Sequence, residues 1–211
     1  MENVYDEIAS EWNEYKQKPL PAVPLLLSHI ANGAVCLDAG TGNGRHLPLL
    51  LEKFGKVYAV DNSKAMLEVA KKNNTGGKVE FQLADVTLLP FAEGVFNVVL
   101  CTAVLHHLYR EEFVLAFNEL HRVLKPGGLL LASVWNMRQE KFRKMKKEDF
   151  VDWKMKDGKV VKRFIHFFEK VEIEEVAARV GFDVVKIFYE VNGKEHKESG
   201  SSNLCFVLKK S

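Results

Sequence analysis

The sequence has few cysteines and no closely spaced pair of them. Its three cysteines, Cys36, Cys101 and Cys205, are far apart, and each lies in an apolar, strand-like run. A disulfide framework or a cysteine-based zinc site is therefore not expected. We predict buried, reduced thiols in a cytoplasmic protein that binds no metal.

Long apolar runs and a strong overall charge are also missing. No stretch has the length of a membrane span, and the first residues lack the layout of a signal peptide, so no membrane association is expected. The net charge of +2 favours no particular partner for the chain as a whole. With 211 residues, of which 47% are hydrophobic and 27% charged, the composition is typical of one globular domain over residues 1–211.

The most informative feature is a glycine-rich turn between a predicted strand and a predicted helix. Residues 37–44 read Leu-Asp-Ala-Gly-Thr-Gly-Asn-Gly, between an apolar run from Ala34 and a helical pattern from Arg45. Glycines at such a turn let a ligand lie against the backbone without a Cβ in the way. The next apolar run ends at Asp61, whose carboxylate can accept hydrogen bonds from both hydroxyls of a ribose. The two features predict a pocket for an adenosine-bearing cofactor.

Two classes of cofactor compete for this pocket. The nicotinamide fingerprint is G-x-G-x-x-G/A, whereas Gly40, Gly42 and Gly44 have the spacing G-x-G-x-G and follow Asp38. A carboxylate at position 38 would lie close to a pyrophosphate, which is unfavourable, but it suits the ammonium group of a methionine moiety. The pattern D-x-G-x-G-x-G followed by Asp61 is similar to motifs I and II of the class I S-adenosylmethionine-dependent methyltransferases.

That resemblance implies S-adenosylmethionine as the cofactor, with S-adenosylhomocysteine as its product. Asp61 would bind the ribose and Asn62 would shape the adenine slot, although Asp61 could instead cap a helix that starts near Ser63. Asp85 would accept the adenine amino group beside the Val86 N–H, unless Asp85 is a simple turn residue. The predicted cofactor-binding residues are Asp38, Gly40, Thr41, Gly42, Asn43, Gly44, Asp61, Asn62, Asp85, Val86, Cys101 and Thr102.

Strand-like and helix-like segments alternate along the chain. The predicted strands cover residues 35–38, 57–61, 79–83, 96–101, 129–135, 182–189 and 204–209. Seven strands with interleaved helices predict an α/β fold, a doubly wound Rossmann-like sheet that is mostly parallel and has an antiparallel C-terminal hairpin. Residues 1–33 are expected to form a helical lid over the pocket. Residues 136–168 are expected to form an insertion on the substrate side.

The predicted insertion is basic. Between Arg138 and Arg163 the chain has eleven Lys and Arg residues and five Asp and Glu residues, a local charge of +6 that leaves −4 for the rest. A basic block on a slightly acidic body is typical of a surface that faces nucleic acid, and a solvated lysine-rich loop is the plainer interpretation. The residues expected to contact RNA phosphates are Arg138, Lys141, Arg143, Lys144, Lys146 and Lys147.

Further stretches carry a closer resemblance. Residues 103–107, Ala-Val-Leu-His-His, are close to the pattern A-V-[IV]-H-H, and residues 134–140, Val-Trp-Asn-Met-Arg-Gln-Glu, resemble V/C-W-A-x-E-Q-E. Residues 163–168, Arg-Phe-Ile-His-Phe-Phe, match R-Y/F-x-H-x-F, and residues 203–208 resemble a final strand. These patterns are similar to those of the wobble-uridine carboxymethyl tRNA methyltransferases. The chain departs from that family at Thr41, where the family has cysteine.

The resemblance implies a reaction in which a methyl group is transferred to the carboxylate of 5-carboxymethyluridine at the tRNA wobble position. A carboxyl group with a pKa of roughly 4 is ionised at neutral pH, so alignment and removal of water would suffice without a general base. Lys18, His106 (or His107), Arg163 and His166 are expected to hold the uridine or its carboxylate. His106 could instead cap a helix, and Arg163 and His166 could fix the insertion to the sheet. A small-molecule methyltransferase with a quinone- or sterol-like substrate is the alternative function.

The resemblance also implies two partners. One is the anticodon arm of tRNA, and the other is a small zinc-binding activator protein. The predicted strand at 79–83 should be a sheet edge, and an unpaired edge invites strand addition by a partner. A heterodimer through this edge is expected, although solvent could equally face it.

Overall fold

The structure is a computed structural model that describes residues 3–31, 33–137, 139–196 and 203–211. Arg138, one of the predicted RNA contacts, lies outside the described residues, and so does the side chain of Lys141.

Helices and strands follow the predicted alternation. The described helices are α1 (Val4–Tyr15), α2 (Ala22–Leu27), α3 (Leu47–Lys53), α4 (Lys64–Asn73), α5 (Arg110–Val123) and α6 (Lys170–Val180). The described strands are β1 (Gly33–Ala39), β2 (Phe54–Asp61), β3 (Val79–Leu83), β4 (Phe96–Thr102), β5 (Leu124–Trp135), β6 (Glu148–Lys154), β7 (Val160–His166), β8 (Phe182–Val191), β9 (Lys194–His196) and β10 (Asn203–Lys210). Within these ranges, no helix is both long enough and apolar enough to cross a membrane.

The main sheet has the strand order β3-β2-β1-β4-β5-β10-β8-β9, and β6 pairs only with β7. Strands β1 to β5 are parallel, whereas β10 runs antiparallel to both of its neighbours, β5 and β8. The predicted doubly wound, mostly parallel α/β sheet with an antiparallel C-terminal hairpin is confirmed. The described part of the sheet has eight strands rather than seven, because β9 folds back on β8 after the turn at Asn192 and Gly193. Strand order reverses between β1 and β4, and ligands of such sheets bind at the carboxyl ends beside the reversal.

Alternating side chains of the strands fill two cores, one on each face of the sheet. Val99 of β4 faces Phe117 of α5 and Ile173 of α6, while the next residue, Leu100, faces Leu50 of α3 on the other side. This follows from the two-residue period of a strand, which sends successive side chains to opposite faces. All three cysteines are buried and unpaired.

Helix α1 is anchored across the carboxyl edge of the sheet. The Asp6 carboxylate accepts hydrogen bonds from the Ser63 hydroxyl (2.6 Å) and the Ala65 N–H (2.9 Å), so it helps to cap α4. Beyond the end of α1, the Lys16 carbonyl accepts a hydrogen bond from the Asn43 side-chain amide at 2.8 Å. These contacts position α1 beside the glycine turn. A lid must move, and these contacts describe one position of α1, so the lid role of residues 1–33 stays a prediction.

The predicted insertion at 136–168 folds largely into the antiparallel hairpin of β6 and β7. Two lysines in its turn region, Lys156 and Lys159, form ion pairs with Glu14 and Glu7 of α1. The hairpin is thus fastened to α1, and part of the positive charge of the insertion is neutralised there.

Phe117 offers a test of the core assignment, because it is fully buried in α5. We expect Phe117→Ala to lower the free energy of unfolding by about 3–5 kcal/mol, since the substitution leaves a cavity between helix and sheet. Leu115 lies on the same helix and is 54% exposed, so Leu115→Ala should change stability by at most about 0.5 kcal/mol. Urea unfolding followed by circular dichroism measures both. Similar losses at the two positions would contradict the packing described above.

Candidate active site

A cavity of about 530 Å³ lies at the carboxyl edge of the main sheet. Its walls come from α1, the glycine turn after β1, the ends of β2 and β4, and the ends of β5, β8 and the start of β10. This volume is in the range of small-molecule sites. The glycine turn and the ends of β2 and β4 form the cofactor half of the cavity. The ends of β5 and β8 and the start of β10 form the substrate half, and α1 borders both.

The glycine turn brings bare backbone to the cavity. Gly40 has φ +79°, and a Cβ there would lie 2.2 Å from a methyl carbon of Val104. Gly42 also has a positive φ (+56°), and nothing lies within 4 Å of the place its Cβ would take. Its N–H donates a 2.8 Å hydrogen bond to Asp61. At Gly44 a Cβ would instead meet α4, so this glycine serves helix packing rather than a ligand.

Asp61, at the end of β2, is held by two backbone donors. One carboxylate oxygen accepts from the Gly42 N–H and the other from the Ser63 N–H, at 2.8 and 2.9 Å. Burial raises the pKa of Asp61 to about 6, although both hydrogen bonds oppose the rise. Each carboxylate oxygen keeps a lone pair, so the group can still accept the two hydroxyls of a ribose.

Asp38 lies just behind the cavity wall. It is 1% exposed, and its Oδ2 accepts a 2.8 Å hydrogen bond from the Thr41 hydroxyl. Burial raises the pKa of Asp38 to about 7, the Thr41 hydrogen bond opposes the rise, and the charges of Asp61 and Arg45 act in opposite directions. A ligand cation next to Thr41 would favour the ionised carboxylate. The structure therefore fits an ammonium-bearing cofactor at this end of the turn.

The adenine end predicted at Asn62 and Asp85 is a hydrogen-bonded chain. Asn3, the N-cap of α1, donates from its amide to Asn62 Oδ1 at 2.8 Å, and Asn62 Nδ2 donates to Asp85 Oδ2 at 2.9 Å. Val86 and Asn62 line the cavity, whereas Asp85 stands behind them and also binds Thr87. The structure thus brings Asp61, Asn62 and Val86 together on the cavity wall with Asp85 one step removed, and their roles toward ribose and adenine stay predictions.

Four of the predicted cofactor residues, Thr41, Asn43, Cys101 and Thr102, differ in whether they reach the cavity. Asn43 and Thr41 line the cavity, but the Asn43 amide is already bonded to Asn13 Oδ1 and to the Lys16 carbonyl. Thr102 also reaches the cavity from the end of β4. Cys101 does not, because strand alternation turns its side chain into the core.

Arg163 of β7 is buried among tryptophan rings. It is 6% exposed, and its guanidinium carbon lies 5.4 Å from the ring centroid of Trp12, 5.9 Å from that of Trp135 and 5.7 Å from that of Trp153. These are all the tryptophans of the chain. Within the described ranges, Arg163 forms no ion pair, and its Nε and Nη1 have no hydrogen-bond partner. We call this arrangement the tryptophan cage.

Tyr5 and His107 connect the tryptophan cage with the cavity. Both line the cavity, and their rings meet edge to face at 5.6 Å. Burial raises the pKa of Tyr5 to about 12, although the Arg163 guanidinium opposes the rise by its charge and a hydrogen bond. His107 Nδ1 lies 2.7 Å from the Phe164 carbonyl and so must donate. Burial lowers the pKa of His107 to about 4, which keeps the imidazole neutral at pH 7 with Nε2 as an acceptor.

His106 occupies a different place from its neighbour. It is fully buried, stacks on the Trp135 ring at 4.8 Å and accepts a 3.3 Å hydrogen bond from the Trp135 N–H at Nδ1. His106 thus supports the cage from behind, and of the two histidines it is His107 that lines the cavity.

His166 and Lys18 also lie away from the cavity walls. His166 Nδ1 is 2.9 Å from Glu148 and its Nε2 is 3.4 Å from Glu172 at the start of α6. The contact with Glu172 attaches the hairpin to α6, whereas the structural alternative left open by the sequence was attachment of the insertion to the sheet. Lys18 is exposed, and Lys16 is the lysine that lines the cavity.

The predicted RNA contacts lie on the segment between β5 and β6 and at its end. Lys144 and Lys146 are exposed, while Arg143 and Lys147 form ion pairs with nearby glutamates at 3.5 and 2.9 Å. Two exposed cations on this segment are therefore available for phosphates.

Several side chains of the cavity were not among the predicted site residues. Tyr5 and Trp12 are seven residues apart on α1, a spacing that places both on one helix face and could have indicated a shared role. Glu190 and Asn203 line the cavity from the ends of β8 and β10. The rule that pointed to Asp61, a polar residue at the end of a strand, applies equally to Glu190.

Comparison with known proteins relates the chain to methyltransferases. Residues 37–132 match a family model described as a methyltransferase domain. A tRNA (carboxymethyluridine(34)-5-O)-methyltransferase of Arabidopsis thaliana is 36% identical over 138 residues, which cover 65% of this chain and 33% of that protein. A protein of the same name from Schizosaccharomyces pombe is 27% identical over 213 residues, covering 89% of this chain and 90% of that protein. The chain spans a third or less of the length of three animal and plant relatives that carry this name.

A solved structure supports the same fold. One chain of a complex between the Haloferax volcanii Trm112 methyltransferase activator and a methyltransferase superposes with a TM-score of 0.75. Its sequence is 15% identical, and the superposition covers 99% of this chain and 98% of that chain. At this identity the likeness shows a shared fold.

The raised pKa values of Asp38 and Asp61 predict pH-dependent cofactor binding. Both carboxyls must be ionised to serve an ammonium and a ribose, so the affinity for S-adenosylhomocysteine should rise from pH 5.5 to 7.5. The change is about tenfold per pH unit below the pKa of each required carboxylate. The free energy of unfolding of the ligand-free protein should change in the opposite direction and fall with rising pH. A raised carboxyl pKa contributes stability at low pH that is lost as pH rises through 6 to 7.

Isothermal titration calorimetry at several pH values measures the affinity. Asp61→Asn should bind weakly throughout and should lose that residue's share of the pH dependence. An affinity that is constant between pH 5.5 and 7.5 in the unsubstituted protein would contradict the assignment of these carboxylates.

Proposed function

We propose that this chain, which belongs to the class I S-adenosylmethionine-dependent methyltransferases, methylates tRNA and esterifies the carboxylate of 5-carboxymethyluridine at the wobble position. The cofactor supplies a methyl group bound to a sulfonium centre, which an ionised carboxylate oxygen can attack. The names of the plant and yeast relatives support RNA as the substrate. The tryptophan cage supports a carboxylate as the acceptor.

The tryptophan cage is the observation that carries this proposal. A buried guanidinium without an acidic partner is costly, and aromatic faces offset only part of the lost hydration. An anion that enters the cavity beside Tyr5 supplies the missing negative charge in a medium where charges are poorly screened. The structure thus favours an acidic acceptor over a neutral quinone- or sterol-like one.

The remaining polar groups suit alignment rather than proton transfer. The raised pKa of Tyr5 keeps its hydroxyl protonated, so it can donate a hydrogen bond to a carboxylate in the cavity. The lowered pKa of His107 keeps this ring neutral. A carboxylate acceptor already carries the reacting electron pair and needs no base. In this proposal Tyr5 holds the acceptor oxygen in line with the methyl group, Arg163 supplies positive charge from behind Tyr5, and closure by α1 excludes water.

RNA would reach the cavity along the β5–β6 segment. Lys144 and Lys146 are exposed there, next to the hairpin that carries Arg163. Lysine side chains contact the phosphates of RNA, so they would position the RNA without reading its base sequence.

The proposal predicts base-labile methylation of tRNA that depends on Arg163. Incubation with labelled S-adenosylmethionine and tRNA from a strain that lacks the ester should place label on tRNA, and mild alkali should release it. Arg163→Gln should lower kcat/KM by about 100-fold, comparable to loss of one preorganised donor for a negative charge. The kcat/KM of Arg163→Lys should lie between that of Arg163→Gln and that of the unsubstituted protein. Lys162→Gln, at the neighbouring exposed position of β7, is the matched control and should retain most activity.

A second readout separates charge recognition from simple packing. The unsubstituted protein should bind an anticodon stem-loop that bears 5-carboxymethyluridine more tightly than one that bears the neutral amide. Arg163→Gln should lose this preference while its affinity for S-adenosylhomocysteine stays unchanged. Label only in lipid extracts, or an unchanged preference for the acid, would contradict the proposal.

We further propose that a small activator protein adds to the open edge of β3. β3 is the terminal strand of the main sheet, and its last residue, Leu83, is 57% exposed. Unpaired edge strands with exposed apolar residues are usually covered. The fold is shared with a methyltransferase solved in complex with the Trm112 activator.

Substitution at this edge should separate the two proteins. We expect Leu83→Lys to abolish co-purification with a co-expressed Trm112-type activator, because strand addition would bury the new charge. Leu115→Lys, which places the same charge on the exposed face of α5, should leave the complex intact. Gel filtration of the co-expressed pair measures both. Retention of the complex by Leu83→Lys would exclude this edge.

A further inference from the structure

A buried carboxylate lies in the substrate half of the cavity, two strands from Trp135 of the tryptophan cage. Glu190, next to the last residue of β8, is 2% exposed and lines the cavity. Its Oε1 accepts a 2.6 Å hydrogen bond from the Gly193 N–H, and its Oε2 accepts one of 2.8 Å from Asn203 Nδ2. Both donors are neutral, and no ion pair in the described ranges includes Glu190.

The sheet sets the distance between Glu190 and the reacting end of the cavity. Asn203 of β10 is paired with Trp135 of β5 on one side and with Glu190 on the other. Thr102, at the end of β4, is one strand further along. Three strand spacings, about 14 Å, thus separate Glu190 from the strand that ends at the cofactor half. The Glu190 carboxylate reaches back toward β10, where Asn203 binds it, so a base held between β4 and β10 would present its far edge to Glu190.

The chemistry of that far edge follows from what a carboxylate can accept. A carboxylate at this place offers acceptor lone pairs only, so it attracts an N–H group and repels a ring nitrogen that carries a lone pair. The uracil ring has an N–H at position 3, whereas the cytosine ring has a lone pair there. Single-stranded bases are commonly recognised through this edge.

We propose that Glu190, oriented by Asn203 and the Gly193 N–H, accepts the N3–H of the target base and thereby selects uridine over cytidine. The inference rests on the proposed function, because it concerns the base that bears the acceptor carboxylate. It adds a specificity-determining residue on the β8 side of the cavity.

Glu190→Gln is the informative substitution. It keeps the size of the side chain, and the Gly193 N–H should retain the amide oxygen as its acceptor. The amide NH₂ group would then take the place of the other carboxylate oxygen, next to Asn203 and the base. This change replaces an acceptor with a donor and should weaken the discrimination against cytidine. Glu195→Gln, the same change on exposed β9, is the matched control.

The experiment compares three synthetic anticodon stem-loops that carry the same carboxylate on different bases: 5-carboxymethyluridine, its N3-methyl derivative and 5-carboxymethylcytidine. The unsubstituted protein should show a kcat/KM about tenfold or more lower on the second and third than on the first. In Glu190→Gln, turnover of the uridine stem-loop should fall about tenfold and the ratios among the three should approach one. Its melting temperature and its affinity for S-adenosylhomocysteine should match those of Glu195→Gln.

The outcomes separate the two proposals. Absence of turnover by the unsubstituted protein on the uridine stem-loop overturns the proposed function, and this inference with it. Turnover that is indifferent to N3 methylation overturns the inference alone. This comparison uses the unsubstituted protein, so it holds even if Glu190→Gln is unstable.

Discussion

The buried guanidinium of Arg163 is the constraint on which the substrate half of the cavity depends. The rings around it come from three elements, with Trp12 on α1, Trp135 at the end of β5 and Trp153 on β6. Aromatic faces attract the cation, but they replace its hydration only in part. The N-terminal helix, the sheet edge and the hairpin must therefore keep a common arrangement around one charge. A change in any of them alters the site that faces the acceptor.

The cofactor half of the cavity indicates the class of reaction, whereas the substrate half indicates the acceptor. The cofactor half is set by local backbone geometry, such as the positive φ and tight packing of Gly40, and by Asp61 at a strand end. Such a half is common to enzymes with unrelated substrates, because fold and cofactor do not determine the acceptor. The substrate half comes from the ends of β5 and β8 and the start of β10, together with Tyr5 and Trp12 of α1. The case for a carboxylate on a pyrimidine therefore depends on Arg163 and Glu190.

The fold and the cofactor half could be predicted from the sequence because their signals are local. A glycine turn after an apolar run is visible within eight residues, and so is a carboxylate at the end of a strand. The cage could not be predicted, because Arg163 meets its three tryptophans only after distant segments have packed together. Adjacent residues were also indistinguishable: a short 3₁₀ turn sends His106 into the interior and leaves His107 on the cavity wall. The same limit applied to Cys101, whose orientation depends on strand register.

Helix α1 contributes to both halves at once. Its N-cap Asn3 bonds to Asn62 at the adenine end, and its Trp12 covers Arg163 on the acceptor side. A displacement of α1 large enough to release spent cofactor would break the first contact and open the second in a single movement. The contacts at the two ends of the cavity are therefore coupled through one helix, so neither end can open by movement of α1 without the other.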